Sequence, residues 1–181
     1  VHDDVEKVLI DEEVIERRLD VLSERILEEF SGRKFVVVVI LKGALVFTAD
    51  LLRRMPIPLE IECINVASYH GTTESSGQVD FLDAKLPAVE GRSVLLVDDI
   101  LDTGRTLAAV GEKLRGQGAE VVKSCVLLSK DKERDAEVEA DHVGFYIGDE
   151  FVVGYGLDFR GLYRNLPFIG VLKQGVIEDS R

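Results

Sequence analysis

Apolar and polar residues follow two recurring rhythms along this chain. Over residues 12–30, Val14, Ile15, Leu19, Leu22, Ile26, Leu27 and Phe30 recur at helical spacing, which places them on one face of a helix. FVVVVIL (35–41) is instead an unbroken, mostly β-branched run between Gly32 and Gly43, the pattern of a strand buried on both faces. ALVFTADLLRRM (44–55) returns to helix and is stopped by Pro56, and residues 59–69 read as a second strand. SVLLVDD (93–99) is strand, TLAAVGEKLRGQG (106–118) helix, and VVKSCVLLS (121–129) and HVGFYIG (142–148) strands. Helices alternating with continuously apolar strands predict an α/β fold, a parallel twisted sheet flanked by helices on both faces. Such sheets bind ligands beyond the carboxyl ends of their strands, so the chemistry is sought there.

Two stretches break the rhythm. HGTTESSGQVDFLDAKLPAVEG (70–91) is long and polar at its start, a composition shared by functional flaps and idle surface loops. Residues 149–181 hold short apolar pieces broken by Gly and Pro and are expected to cap one end of the sheet. No repeat, linker or shift of composition divides the chain, so 1–181 is read as a single domain.

Charge narrows the possible partners. With 22 Lys and Arg against 34 Asp and Glu, the net charge is −12, which argues against general nucleic-acid binding but leaves a small phosphorylated ligand open. The longest apolar run, 35–41, is far shorter than the ~20 residues of a membrane span, and no signal peptide is visible. Cys63 and Cys125 lie in strand-like runs away from any Cys/His cluster, so both are expected to be buried small hydrophobes in a reducing, cytoplasmic compartment.

The most informative stretch is VLLVDDILDTGRTL (94–107). A strand delivers the adjacent carboxylates Asp98 and Asp99, and Asp102, Thr103, Gly104, Arg105 and Thr106 then open a helix. Backbone N–H groups and hydroxyls at the positive end of a helix make a phosphate cradle, although the segment is no Walker loop. The same residues could simply cap a helix. Two acids directly ahead of the Gly/Thr-rich helix start favour the functional reading.

This stretch resembles the phosphoribosyl diphosphate signature of the type I phosphoribosyltransferases. LKGA (41–44), SYHGTTESSG (68–77), LLSKDKERD (127–135) and DEFVVGYGLDFRGLYRNLPFIGVL (149–172) are similar, in order, to segments of the hypoxanthine-guanine members. The resemblance implies a core of about 30–148, a small C-terminal hood of 149–181 joined by the N-terminus, and a flap over about 68–80 beginning at Ser68 and Tyr69. It implies a salvage reaction that joins a purine base to 5-phosphoribosyl 1-diphosphate with Mg²⁺, in a homodimer or homotetramer. Its implied ligands for the diphosphate substrate are Lys42, Gly43, Asp98, Asp99, Asp102, Thr103, Gly104, Arg105, Thr106, Arg134 and Arg164. Asp102 would be the general acid/base near N7 of the purine, Lys130 would bond the oxygen at C6, Phe151 would stack on the base, and Val152 would read its edge. Asp158 would belong to the purine site and, with Asp98 and Asp99, would hold the metal. The Leu41–Lys42 peptide is a candidate cis bond. An ammonium donates but cannot accept, which selects 6-oxopurines over adenine.

Three positions depart from the family pattern: Asp98 where Glu is usual, Asp131 after Lys130, and His70 after Ser68-Tyr69. Two rivals stay open, an enzyme preferring xanthine or another base and a phosphoribosyltransferase-like RNA-binding regulator. The acidic charge and the presence of Asp102 and Lys130 count against the regulator.

Overall fold

A computed structural model describes residues 2–68 and 79–178 of the chain. In chain order its elements are β1 (Val5–Ile10), α1 (Glu12–Glu29), β2 (Phe35–Leu41), α2 (Leu45–Leu52), β3 (Glu60–Ser68), β4 (Val79–Phe81), β5 (Ser93–Leu101), α3 (Arg105–Gly116), β6 (Val121–Lys130), β7 (His142–Ile147), β8 (Val152–Val153), β9 (Ile169–Leu172) and α4 (Gln174–Glu178).

Six strands form one sheet in the order β4-β3-β2-β5-β6-β7, parallel throughout except for β4 at its edge. Alternate residues of a strand point to opposite faces, and both faces are covered. Phe35, Val37, Val39, Leu95, Val97, Cys125 and Leu127 join the core shared with α1 and α2. Val36, Val38, Ile40, Val94, Leu96 and Val126 join the other core, with Leu107, Val110 and Leu114 of α3. That double burial is why the inner strands read as unbroken apolar runs.

The predicted order of helices and strands is the observed one, with informative differences at its margins. Strand β5 runs two residues past the acid pair, because Ile100 and Leu101 pair in register with Leu128 and Ser129 of β6. Residues 5–10, with no strand pattern of their own, form β1 by pairing antiparallel with β9, and β8 completes this three-stranded sheet. Cys125 is buried as expected, but Cys63 is exposed. It shares a face of β3 with Ile61, which is 56% exposed, and the described residues leave that face open.

At the end of the sheet away from the strands' carboxyl termini, charged groups fasten α1 in place. Glu29 Oε1 lies 2.8 Å from Lys123 Nζ and Glu29 Oε2 lies 2.6 Å from His142 Nε2. The Lys123 hydrogen bond, opposed by burial and aided by His142, holds the Glu29 carboxyl below its ordinary 4.5. A carboxylate with a depressed value stabilises the fold fully above 4.5 and loses that contribution as pH falls through the lowered value. Glu29→Gln is therefore expected to lower Tm at neutral pH by about 2–4 °C, for a loss near ~1 kcal/mol, with the gap closing below pH 4.5. Melting curves across that range test this, and a gap that persists undiminished in acid would contradict it.

Candidate active site

The carboxyl ends of β2 and β5, with part of the segment between β8 and β9, enclose a cleft of about 320 Å³. Asp98, Asp99, Asp102, Thr103, Gly104, Thr106, Gly43, Asp158 and Arg164 all line it, so one concave surface gathers residues that span more than half of the sequence. The parallel arrangement is responsible, because every strand of the parallel run delivers its following turn to the same edge.

Three backbone segments meet here with no room for side chains. The Leu41–Lys42 peptide is cis. A Cβ on Gly43, the next residue, would lie 1.7 Å from Asp99 Oδ2. A Cβ on Gly156 would lie 2.1 Å from the Gly43 carbonyl oxygen, and its φ of +103° also favours glycine. The turn after β2 is thus pressed between the acid pair and the C-terminal segment. The Lys42 side chain is exposed, and its carbonyl accepts from the Leu45 N–H at 3.1 Å.

Asp98 and Asp99 sit inside β5. Burial, followed by the charge of Asp99, pushes the Asp98 carboxyl well above its ordinary range. Burial also raises Asp99, although hydrogen bonds and the Arg164 charge oppose the shift. Asp98 Oδ1 accepts from the Asp99 N–H at 2.9 Å and Asp99 Oδ1 from the Ile100 N–H at 2.8 Å. Two buried carboxylates with so few donors suit a ligand that brings hydroxyls or a cation. Across the cleft, Asp158 accepts from the Gly161 N–H at 2.6 Å and pairs with Arg164 Nη2 at 2.7 Å.

After β5 the chain turns through Asp102-Thr103-Gly104 into α3. Gly104 takes φ +80°, and a Cβ there would strike Val138 at 2.6 Å. Thr103 holds the 131–141 loop through its carbonyl, which accepts from Asp135 and Ala136 N–H at 3.1 and 3.2 Å. The Arg105 side chain points away from the cleft to Asp135, 2.9 Å away, and Arg105 is absent from the cleft lining. The helix start offers backbone N–H groups at a positive dipole end, a fit for phosphate, with the Arg105 N–H donating to Thr103 Oγ1 at 3.5 Å.

At the other end of the Asp102 turn lies a cluster of charges. Lys130, the last residue of β6 and 8% exposed, places Nζ 3.2 Å from Asp102 Oδ2 and 3.3 Å from Asp149 Oδ1. Lys132 Nζ lies 2.5 Å from Asp102 Oδ1 and 3.2 Å from the same oxygen of Asp149. Burial pulls the Asp102 carboxyl upward, but the close ammonium groups of Lys132 and Lys130 outweigh it and leave Asp102 below the ordinary carboxylate range. Phe151 is 48% exposed and sits edge-on to Phe159 at 5.8 Å between ring centroids, while Val152 is buried and pairs with Val171.

One of the expected ligands turns away from the cleft. Arg134 is outside the cleft lining: its guanidinium donates to Ser129 Oγ at 2.8 Å and to the Lys130 carbonyl at 3.3 Å, and pairs with Glu139. As placed, it braces the end of β6. Ser68 ends β3 opposite Val79, and Tyr69 falls outside the described residues. Sequence reasoning missed Lys132, inside the charged run KDKERD, and Asp149, at the head of the segment that resembles the family's C-terminal part. The one available signal is that Lys132 stands two residues beyond Lys130, the spacing that returns to one side of an extended chain.

Comparison with known proteins agrees with this geometry. Residues 9–160 match the phosphoribosyl transferase domain family. The chain is 44% identical over 176 residues to the hypoxanthine-guanine phosphoribosyltransferase of Staphylococcus epidermidis, covering 97% of this chain and 98% of that protein. It is 43% identical over 179 residues to the bifunctional protein TilS/HprT of Listeria monocytogenes, covering 99% of this chain but spanning only 28% of that longer protein. The crystal structure of a Staphylococcus aureus hypoxanthine phosphoribosyltransferase superposes with a TM-score of 0.91 at 43% identity, over 97% of this chain and 95% of that one.

Proposed function

The chain belongs to the phosphoribosyltransferase family, in its hypoxanthine-guanine branch, and from that premise we propose that it serves purine salvage by transferring the phosphoribosyl group of 5-phosphoribosyl 1-diphosphate to N9 of hypoxanthine or guanine. The observation that carries this reading is the union in one site of a buried acid pair and a helix start with a lysine-held carboxylate, Asp102. In the reaction the C1–O bond to diphosphate breaks and the C1–N9 bond forms. The ribose passes through a cation-like state while charge accumulates on the leaving oxygens.

Each residue has a part that its placement supports. The backbone of 103–106 would bind the 5-phosphate, and Asp98 and Asp99 would accept from the ribose hydroxyls. The backbone of Lys42 and Gly43, with the Arg164 guanidinium, would face the diphosphate. Lys130 would donate to the oxygen at C6, Phe151 would cover the flat face of the base, and the Val152 backbone would meet its edge. As N9 bonds to C1, the purine ring gains positive charge unless it sheds the proton on N7. Asp102, held anionic by its lysines, would accept that proton.

The donor set fits Mg²⁺. Asp98, Asp99 and Asp158 offer hard carboxylate oxygens to one cleft, yet among the described residues no three His, Cys, Asp or Glu side chains stand close enough to form a cage. Substrate oxygens and water would complete the shell, and the ion would neutralise diphosphate charge. Among the described residues no helix is long and apolar enough to cross a membrane. A cytoplasmic homodimer or homotetramer is our reading of the assembly, with exposed Leu45, Ile57 and Ile61 supplying apolar surface beside α2 and β3.

Nucleotide formation from 5-phosphoribosyl 1-diphosphate and Mg²⁺, with hypoxanthine, guanine, xanthine, adenine and uracil in parallel, tests the proposal. Turnover is expected with hypoxanthine and guanine. Turnover with adenine or uracil instead would overturn the role given to Lys130, and silence with every base would overturn the activity.

A further inference from the structure

Two carboxylates and two ammonium groups meet beside the cleft, and the assigned reaction uses only one of each. Lys130 and Lys132 divide Asp102 between them: Lys130 takes Oδ2 at 3.2 Å and Lys132 takes Oδ1 at 2.5 Å. The two oxygens are not equivalent. Oδ1 is sealed from solvent and outside hydrogen-bond geometry with any described residue, and among the described residues Lys132, paired with it through charge, is its only ionic partner. Both lysines also reach Asp149 Oδ1, at 3.3 and 3.2 Å. Arg105 is committed to Asp135 and Arg164 to Asp158, so neither supplies charge to Asp102. With Lys130 alone, turning its Nζ toward a purine would leave two carboxylates without a cation.

We propose that Lys132 is a positioning residue that grips Asp102 by Oδ1 and balances Asp149, leaving Asp102 Oδ2 and Lys130 free to meet the purine. The inference rests on the roles of Asp102 and Lys130 proposed above. Lys132 does not itself touch the base. It fixes the carboxylate oxygen that does, and it lowers the electrostatic cost of releasing Lys130 from its resting partners.

Steady-state kinetics of Lys132→Met, with each substrate varied in turn, tests this. The expected result is a rise of about tenfold in KM for hypoxanthine, the equivalent of one close ion pair, with KM for 5-phosphoribosyl 1-diphosphate held within twofold. Lys132→Arg restores purine KM, because a guanidinium also reaches both carboxylates. Adding Asp149→Asn to Lys132→Met recovers part of the loss by removing one of the two demands on Lys130. An unchanged purine KM in Lys132→Met, or an equal rise in both KM values, overturns the inference, the second outcome marking a merely structural lysine. Asp102→Asn assayed alongside separates the two levels of the argument. Full activity in that variant defeats the underlying assignment, whereas loss there with Lys132→Met unaffected defeats only the role of Lys132.

Discussion

Replacing Asp102 with Asn is expected to lower kcat by about 10²–10⁴-fold, the range found when a positioned acid/base is lost. The amide matches the carboxylate in size but keeps one oxygen in place of two, so it can accept from only one of Lys130 and Lys132, which stand 3.2 and 2.5 Å from the two native oxygens. It cannot take up a proton from N7, so the new C1–N9 bond would form on a purine that retains its positive charge. Since the lysines depress the Asp102 carboxyl below its ordinary 3.8, the active anionic form persists throughout the neutral range, and an acid limb due to this group falls below pH 3.8. Single-turnover nucleotide formation is the measurement. A variant that keeps its rate within a fewfold would remove Asp102 from proton transfer.

Gly43→Ala is the second large effect. The added Cβ would fall 1.7 Å from Asp99 Oδ2 and 2.5 Å from Asp99 Cγ, far inside contact distance. Asp99 cannot simply swing away. It belongs to β5, and its other oxygen accepts from the Ile100 N–H at 2.8 Å. Retreat of the turn is blocked from the opposite side, where Gly156 packs so closely that its own Cβ would lie 2.1 Å from the Gly43 carbonyl. Either the acid pair or the turn after β2 must shift by about an ångström, a misplacement that can cost about 10²-fold in rate. The loss should appear in kcat/KM for 5-phosphoribosyl 1-diphosphate. Overpacking of this kind also costs about 1–3 kcal/mol of stability, read as a fall in Tm. Native-like kinetics and Tm in Gly43→Ala would show that the segments do not meet this tightly.

What could be read from residue order alone is what depends on local pattern. The run at 35–41 announced β2 because a strand buried on both faces needs no polar positions. The Asp98-Asp99 pair and the Asp102–Thr106 turn announced a phosphate-binding strand end because the chemistry is contiguous in sequence. The cleft residues Asp158 and Arg164 came only with the family resemblance, since nothing in DFRGLYR by itself points to a cleft. Residues 5–10 show how much lay beyond reach: VEKVLI becomes β1 only because β9, more than 150 residues later, offers it an edge. Charge is where sequence said least. Arg134 and Lys132 stand in the same acidic-basic run, yet one guanidinium turns back to Ser129 while the neighbouring ammonium reaches Asp102. The amino-acid sequence by itself determined the five parallel strands, helices α1 to α3 and the acid-bearing turn, because hydrophobic period and steric preference act between near neighbours. The tertiary structure alone decided which charges meet, because an ion pair depends on distances set when separate elements pack together.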